Sequence, residues 1–182
     1  MEATQTKTGC WVLEPKVIQD ERGYFMESFN EKTFAEKTGH HVHFVQDNQS
    51  FSGKGVLRGL HYQTGVHSQA KLVRVLRGEV LDVALDIRPG SATFGQYDAV
   101  VLSGENQKQF FVPRGFAHGF LVLSETCVFF YKCDNFYNRE SEGGVFYNDP
   151  EIGIDWNFPL GDLIVSEKDK QLPNLNQARK AW

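Results

Sequence analysis

Strand-length runs fill this chain, and glycine, proline, aspartate and serine interrupt them every 8–12 residues or so. Residues 80–87 alternate Leu81, Val83, Leu85 and Ile87 with Asp82, Ala84 and Asp86. A period of two predicts a half-buried strand there. Residues 126–133 place Cys127, Phe129, Tyr131 and Cys133 on one face of another strand. Residues 11–18 read as an edge strand broken by Pro15. Residues 42–50, 94–102 and 109–112 are further strands. One short helix is expected over residues 31–37, with Ser28 or Asn30 as its N-cap and Gly39 just past its end. The expected fold class is all-β, a sandwich or barrel with a few short helices.

Composition sets the outer bounds. With 182 residues, the chain is long enough for one domain with a real core, and no linker or repeat divides residues 1–182. Charged residues are 23% of the chain and hydrophobic ones 41%, which excludes a disordered polymer. The net charge of −4 gives no electrostatic support to a nucleic-acid partner. No apolar run is long enough for a membrane span. The N-terminal residues show no secretory pattern, and the three cysteines form no close pair. Both features lead us to expect reduced thiols and a cytoplasmic location.

Residues 55–77 carry the densest chemistry. His61 lies mid-strand between Leu60 and Tyr62, Lys71 opens the next run, and Arg58, Arg74 and Arg77 add charge. We read these runs as a hairpin. Two interpretations stand open on this stretch alone. The hairpin either lines a cavity with His61 and Lys71 pointing inward, or exposes a solvated basic face. A metal-binding barrel would want a second histidine two positions after His61, but Gln63 stands there, so no metal is expected. No dinucleotide or phosphate-loop motif is present. A histidine, a lysine, a tyrosine and a carboxylate in one dry cavity would suit proton abstraction beside a carbonyl. Asp169 has a competing role, because Ser166-Glu167-Lys168-Asp169 also reads as a helix capping box.

Several longer motifs point further. They are Asp20-x-Arg22-Gly23-Tyr24-Phe25-x-Glu27, Val45-Gln46-Asp47-Asn48-x-Ser50, Gly55-Val56-Leu57-Arg58-Gly59-Leu60-His61-Tyr62-Gln63 and Lys71-Leu72-Val73-Arg74-Val75. Asp82-Val83-Ala84, Asp86-Ile87-Arg88, Phe94-Gly95, Pro113-x-Gly115-Phe116-Ala117-His118-Gly119-Phe120, Tyr131-Lys132-Cys133 and Ser166-Glu167-Lys168-Asp169 complete the set. Together they resemble the dTDP-4-dehydrorhamnose 3,5-epimerase family over nearly the whole chain.

The resemblance implies a cupin-type jelly-roll or β-sandwich barrel, a homodimer, a dTDP-sugar substrate and a site without metal or cofactor. It implies His61 as general base with Asp169 paired to it, Lys71 stabilising an enolate, and Tyr131 as proton donor. Arg22, Glu27, Gln46, Asn48, Arg58, His118, Glu142 and Lys168 match positions the family uses to hold the sugar nucleotide. Phe25 and Tyr137 are matched to the thymine ring by stacking. Family dimers exchange N-terminal segments, so Arg22 and Glu27 are expected to serve the partner's site. Arg58 and His61, three apart, face opposite sides of a regular strand, so either Gly59 kinks or bulges the strand to let them share one cavity, or the two contact different ends of the ligand.

The expected activity is inversion of carbons 3 and 5 of dTDP-4-dehydro-6-deoxy-D-glucose, on the route to dTDP-L-rhamnose. The rivals are a one-carbon epimerase on a related sugar, a non-catalytic nucleotide-sugar binding cupin, and a metal-dependent cupin.

Overall fold

A computed structural model describes residues 1–181. Its strands are β1 (Glu2–Gln5), β2 (Trp11–Glu14), β3 (Ile18–Asp20), β4 (Gly23–Phe25), β5 (Gln46–Gly53), β6 (Val56–Gln63) and β7 (Lys71–Arg77). They continue as β8 (Glu79–Asp86), β9 (Tyr97–Ser103), β10 (Gln109–Val112), β11 (Phe116–Val122), β12 (Thr126–Cys133), β13 (Glu142–Gly144) and β14 (Ile164–Val165). Two short α-helices, α1 (Glu31–Thr38) and α2 (Glu167–Lys170), and four single 3-10 turns are the helical parts of the described residues.

Two six-stranded sheets form the body. One runs β1-β2-β10-β7-β12-β5, and the other runs β13-β6-β11-β8-β9 with β14 added parallel to β6. Strands β3 and β4 form a separate ribbon. The inner faces meet in an apolar core that takes Val73, Val75, Phe110 and Phe129 from the first sheet and Val80, Ala84, Phe116 and Phe120 from the second. Phe120 stacks on Phe129 across this gap, ring centroids 4.0 Å apart. Burying a side chain of this size stabilises the fold by about 1.5–3 kcal/mol. The expected cupin-type all-β sandwich is therefore the observed architecture.

Each outer face is covered in part. Helix α1 lays Phe34 over Leu13, Leu72 and Phe111. Its N-cap is Asn30, whose side chain accepts from the Thr33 N–H at 3.1 Å, and Gly39 ends it in the left-handed region at φ 74°. Of the two expected caps, the chain uses Asn30 and leaves Ser28 aside. The C-terminal segment covers the second sheet, with Trp156, Val165 and Ala181 packed against Leu57, Val83 and Leu121.

Three sequence expectations are corrected. First, β6 and β7 are not a hairpin. The segment between them crosses from the second sheet to the first, and β6 pairs with β11 and β13 while β7 pairs with β10 and β12. Second, β2 is not an edge strand, because β1 pairs along its other side. Third, β8 is buried on both faces rather than half-buried. The C-terminal segment covers Val83 and Leu85, while Asp82 and Asp86, both fully buried, each have a hydrogen-bond partner, His118 on β11 for Asp82 and Arg88 just after β8 for Asp86.

Candidate functional site

The crossover between β6 and β7 gives the site its two walls. It carries His61 on one sheet and Lys71 on the other. Two adjoining cavities, of about 630 and 670 Å³, open between the sheets and share Asn48, His61, Lys71, Tyr131 and Lys168. Tyr131 comes from β12, so it stands on the Lys71 wall and faces the wall that carries His61. Of the two interpretations open for residues 55–77, the cavity is the one observed.

Strand β6 must bend to bring its groups together. On β11, His118 pairs with His61 and Phe120 pairs with Arg58, so three steps on β6 oppose two on β11. That extra residue is a β-bulge. Gly59 sits in it at φ 122°, and a Cβ there would lie 2.7 Å from Gly119 Cα and 2.8 Å from the His118 carbonyl oxygen. Only glycine allows so close a backbone approach. The bulge reverses the facing expected of residues three apart, and Arg58 and His61 line the same cavity.

Asp169 joins His61. Its Oδ1 lies 2.7 Å from His61 Nε2, and its Oδ2 accepts the Gly59 N–H at 3.2 Å. The Ser166 hydroxyl accepts from the Asp169 N–H at 3.1 Å, so half of the expected capping box exists and the carboxylate is free for the histidine. Burial pushes the Asp169 carboxyl up, but the hydrogen bond and charge of His61, with help from Gly59 and Ser166, hold it below the usual range. A carboxylate accepts hydrogen bonds, which places the ring proton of neutral His61 on Nε2 and leaves Nδ1 with the lone pair.

On the opposite wall, the Lys71 ammonium lies 5.8 Å from the centre of the Tyr131 ring. Burial lowers the Lys71 pKa, against the opposing pull of Cys133 and Asp82. Burial raises that of Tyr131, which keeps its phenol protonated. An amine whose pKa burial lowers and a protonated phenol thus stand across the cavity from the His61 imidazole.

The remaining expected residues divide into two groups. Gln46, Asn48, Tyr137, Glu142 and Lys168 line the first cavity, and Arg58 and His118 line the second. Tyr137 offers a half-exposed ring, and its N–H donates to Gln46 Oε1 at 3.1 Å. Lys168 Nζ lies 2.6 Å from Glu142 Oε2. Burial pushes the Glu142 carboxyl up, but Lys168 and Tyr137 together bring it below its ordinary value.

Arg22, Phe25 and Glu27 line neither cavity. They lie on or just after the β3–β4 ribbon. Arg22 there pairs with Asp20 at 2.5 Å with 84% of its side chain exposed, and Phe25 is 71% exposed. Sequence reasoning assigns no role to Arg139 and Arg179, which also line the first cavity. Neither lies in one of the long motifs, so no signal marks them.

The likeness to known proteins covers the whole of this arrangement. The family model for dTDP-4-dehydrorhamnose 3,5-epimerase matches residues 5–177. The chain is 55% identical over 168 residues to the dTDP-4-dehydrorhamnose 3,5-epimerase of Salmonella typhimurium, covering 92% of this chain and 91% of that one. The crystal structure of the enzyme of that name from Elizabethkingia anophelis superposes with a TM-score of 0.95 at 57% identity, covering 100% of this chain and 99% of the other. A dTDP-6-deoxy-D-glucose-3,5-epimerase from Legionella pneumophila, solved in complex with dTDP-4-keto-L-rhamnose, superposes with a TM-score of 0.93 at 51% identity over 97% of this chain and 93% of its own. A family model matching residues 5–177, relatives more than half identical over nearly their whole length, and a sandwich superposing on solved members with His61 and Tyr131 on facing sheets lead to one conclusion: the chain belongs to the dTDP-4-dehydrorhamnose 3,5-epimerase family.

Proposed function

We propose that this protein inverts carbons 3 and 5 of dTDP-4-dehydro-6-deoxy-D-glucose, giving dTDP-4-dehydro-L-rhamnose, without a cofactor. The observation that carries this reading is the placement of His61 and Tyr131 on facing sheets of one cleft. Inversion needs a base on one face of the sugar and an acid on the other.

His61 Nδ1 takes the proton from the carbon beside the 4-keto group. The C–H electron pair becomes the enolate double bond, and the carbonyl pair moves onto O4. The Lys71 ammonium stabilises that oxygen, an effect of roughly 10²–10³ for a well-placed donor. Asp169 fixes the His61 tautomer and stabilises the imidazolium that forms. Tyr131 then gives its phenolic proton to the carbon from the other face, and both groups return to their starting states by exchange with solvent. The second carbon follows the same steps.

Arg58 is suited to the diphosphate because a guanidinium donates in a fork. Tyr137 is suited to the thymine ring by stacking. Arg22, Phe25 and Glu27 line neither of the two site cavities of their own chain, and the ribbon that carries them is exposed. This supports a homodimer in which each ribbon completes the partner's site.

Turnover in deuterium oxide tests the reading. Proton NMR of the product should show label at both carbon 3 and carbon 5, each inverted. Inversion confined to one carbon would establish a one-carbon epimerase. Binding without exchange would establish a nucleotide-sugar binding module.

A further inference from the structure

A second histidine–carboxylate pair lies beside the first. His118 is the register partner of His61 across β6 and β11, a relation that sets side chains about 4.5–5.5 Å apart. His118 Nε2 lies 2.9 Å from Asp82 Oδ1 and 3.1 Å from Oδ2. The side chain of Asp82 is fully buried and that of His118 is 6% exposed. Both carboxylate oxygens converge on one ring nitrogen. His118 Nδ1 has no hydrogen bond among the described residues and is not among the buried unpaired atoms, and the ring lines the cavity that holds His61 and Lys71.

A buried carboxylate is a costly group to keep without a purpose. Ordinary packing does not call for it here. The flanking inward residues of β8, Val80 and Ala84, belong to the apolar core, and Phe120 lies directly opposite Asp82 on β11. An aliphatic side chain would satisfy that position. What the carboxylate does that an aliphatic group cannot is choose a tautomer. It only accepts, so the proton of neutral His118 must sit on Nε2.

We propose that Asp82 is a positioning residue of the epimerisation: it holds His118 as the Nε2–H tautomer, so that Nδ1 faces the cavity as a hydrogen-bond acceptor for a ring hydroxyl of the hexulose. This rests on the epimerase reading above for the identity of the ligand, but not for the tautomer. The acceptor sorts substrates by their hydroxyls. A sugar that presents a hydroxyl to Nδ1 is anchored, and one lacking it leaves a buried acceptor unpaired.

Asp82 has a second electrostatic effect in the same place, because its charge opposes the downward shift that burial imposes on Lys71. The charged and titratable groups around the pair are Arg58 and His61 from β6, Lys71 from β7, Tyr131 from β12, Lys168 and Asp169 from α2, and Cys10, just before β2, beside Asp82. An isosteric Asp82→Asn change touches the tautomer and Lys71 together. The amide can donate to Nε2 as well as accept from it, which raises the share of the form with the ring proton on Nδ1.

Nitrogen-15 NMR of histidine-labelled protein, recorded at a pH where His118 is neutral, tests the tautomer without substrate. The His118 signals, assigned by their loss in His118→Gln, should show a protonated Nε2 and an unprotonated Nδ1. In Asp82→Asn, whose amide can donate to Nε2 as well as accept from it, the share of the Nδ1–H form should rise. The same variant should lose about 10- to 100-fold in kcat/KM, and the alkaline limb of its pH–rate profile should move to lower pH. Asp82→Glu, which keeps the charge and the acceptor, should recover part of both. A protonated Nδ1 in the unsubstituted protein would overturn the proposal by itself, even if Asp82→Asn fails to fold. So would an Asp82→Asn enzyme with parental turnover and an unmoved pH profile. If the unsubstituted protein shows the expected tautomer but no epimerisation, the functional reading has failed and the assignment of Asp82 to that reaction falls with it, while the tautomer itself stands.

Discussion

Asp169 Oδ1 stands 2.7 Å from His61 Nε2 across 108 positions of sequence. The contact joins α2 to the bulged strand β6, and the same carboxylate also ties down the Gly59 N–H inside the bulge. One group therefore fixes both the tautomer of the histidine and the backbone that aims it.

Replacing Asp169 by Asn should lower kcat by about 10²–10⁴ while KM changes little, because the carboxylate acts on the base and not on the ligand. Steady-state kinetics on the purified variant check this. A rise in KM at unchanged kcat would move Asp169 from the base to substrate binding.

Lys71 offers a charge test. Burial holds its pKa below the ordinary 10.5, so the ammonium is lost earlier on raising the pH than for an exposed lysine. Turnover should fall along an alkaline limb that lies below 10.5. Lys71→Met should lower kcat by roughly 10²–10³ and remove the dependence on this group. A pH–rate profile that is flat to the ordinary lysine range would contradict the role.

Exhaustive chelation should leave turnover intact. The residue two after His61 is Gln63, and its Oε1 accepts the Asn138 N–H at 2.9 Å, which commits it to holding the loop that carries Tyr137. Metal analysis before and after chelation, with activity measured on both samples, checks the point. Loss of activity restored by one equivalent of metal would contradict it.

Acid stability should depend on Asp86. Burial raises its carboxyl pKa, but hydrogen bonds from Arg88, Ser91 and Thr93 outweigh that and hold it at about 2. A depressed carboxylate contributes stability above its unfolded value of 3.8 and loses it as pH falls toward the folded value. The difference is worth about 2 kcal/mol. Denaturant unfolding should show Asp86→Asn less stable by about that amount at pH 7, with the gap closing below pH 3.8. A gap that persists unchanged to pH 2 would assign the loss to packing.

Much of this site is legible in the amino-acid sequence. Strand β12 falls where alternation places it, and β10 falls at the expected residues 109–112, although its four residues, Gln109-Phe110-Phe111-Val112, are all buried and show no alternation. His61, Lys71, Tyr131 and Asp169 lie in long ordered motifs, and all four meet at the cleft. Partnership between strands is less legible. Residues 55–77 read as a hairpin because two runs flank a short turn, yet the turn crosses between sheets, and nothing local distinguishes those two connections. Strand β1 leaves no signal because only four polar-rich residues form it. Asp82 and Asp86 read as a solvated face because alternation reports polarity and not burial. Their partners lie elsewhere in the chain, His118 on β11 for the first and the loop after β8 for the second. Arg22, Phe25 and Glu27 are legible as motif members, but they line neither site cavity of their own chain.

The central claim of the proposed mechanism is that His61 and Tyr131 act from opposite faces of the sugar. Deuterium uptake and inversion, followed together by proton NMR in His61→Asn and Tyr131→Phe, separate the two roles. His61→Asn should abolish both exchange and inversion. Tyr131→Phe should lose inversion by about 10²–10⁴ yet keep some exchange, as His61 returns label to the face it left. Parental inversion in Tyr131→Phe, or continued exchange in His61→Asn, would contradict the account.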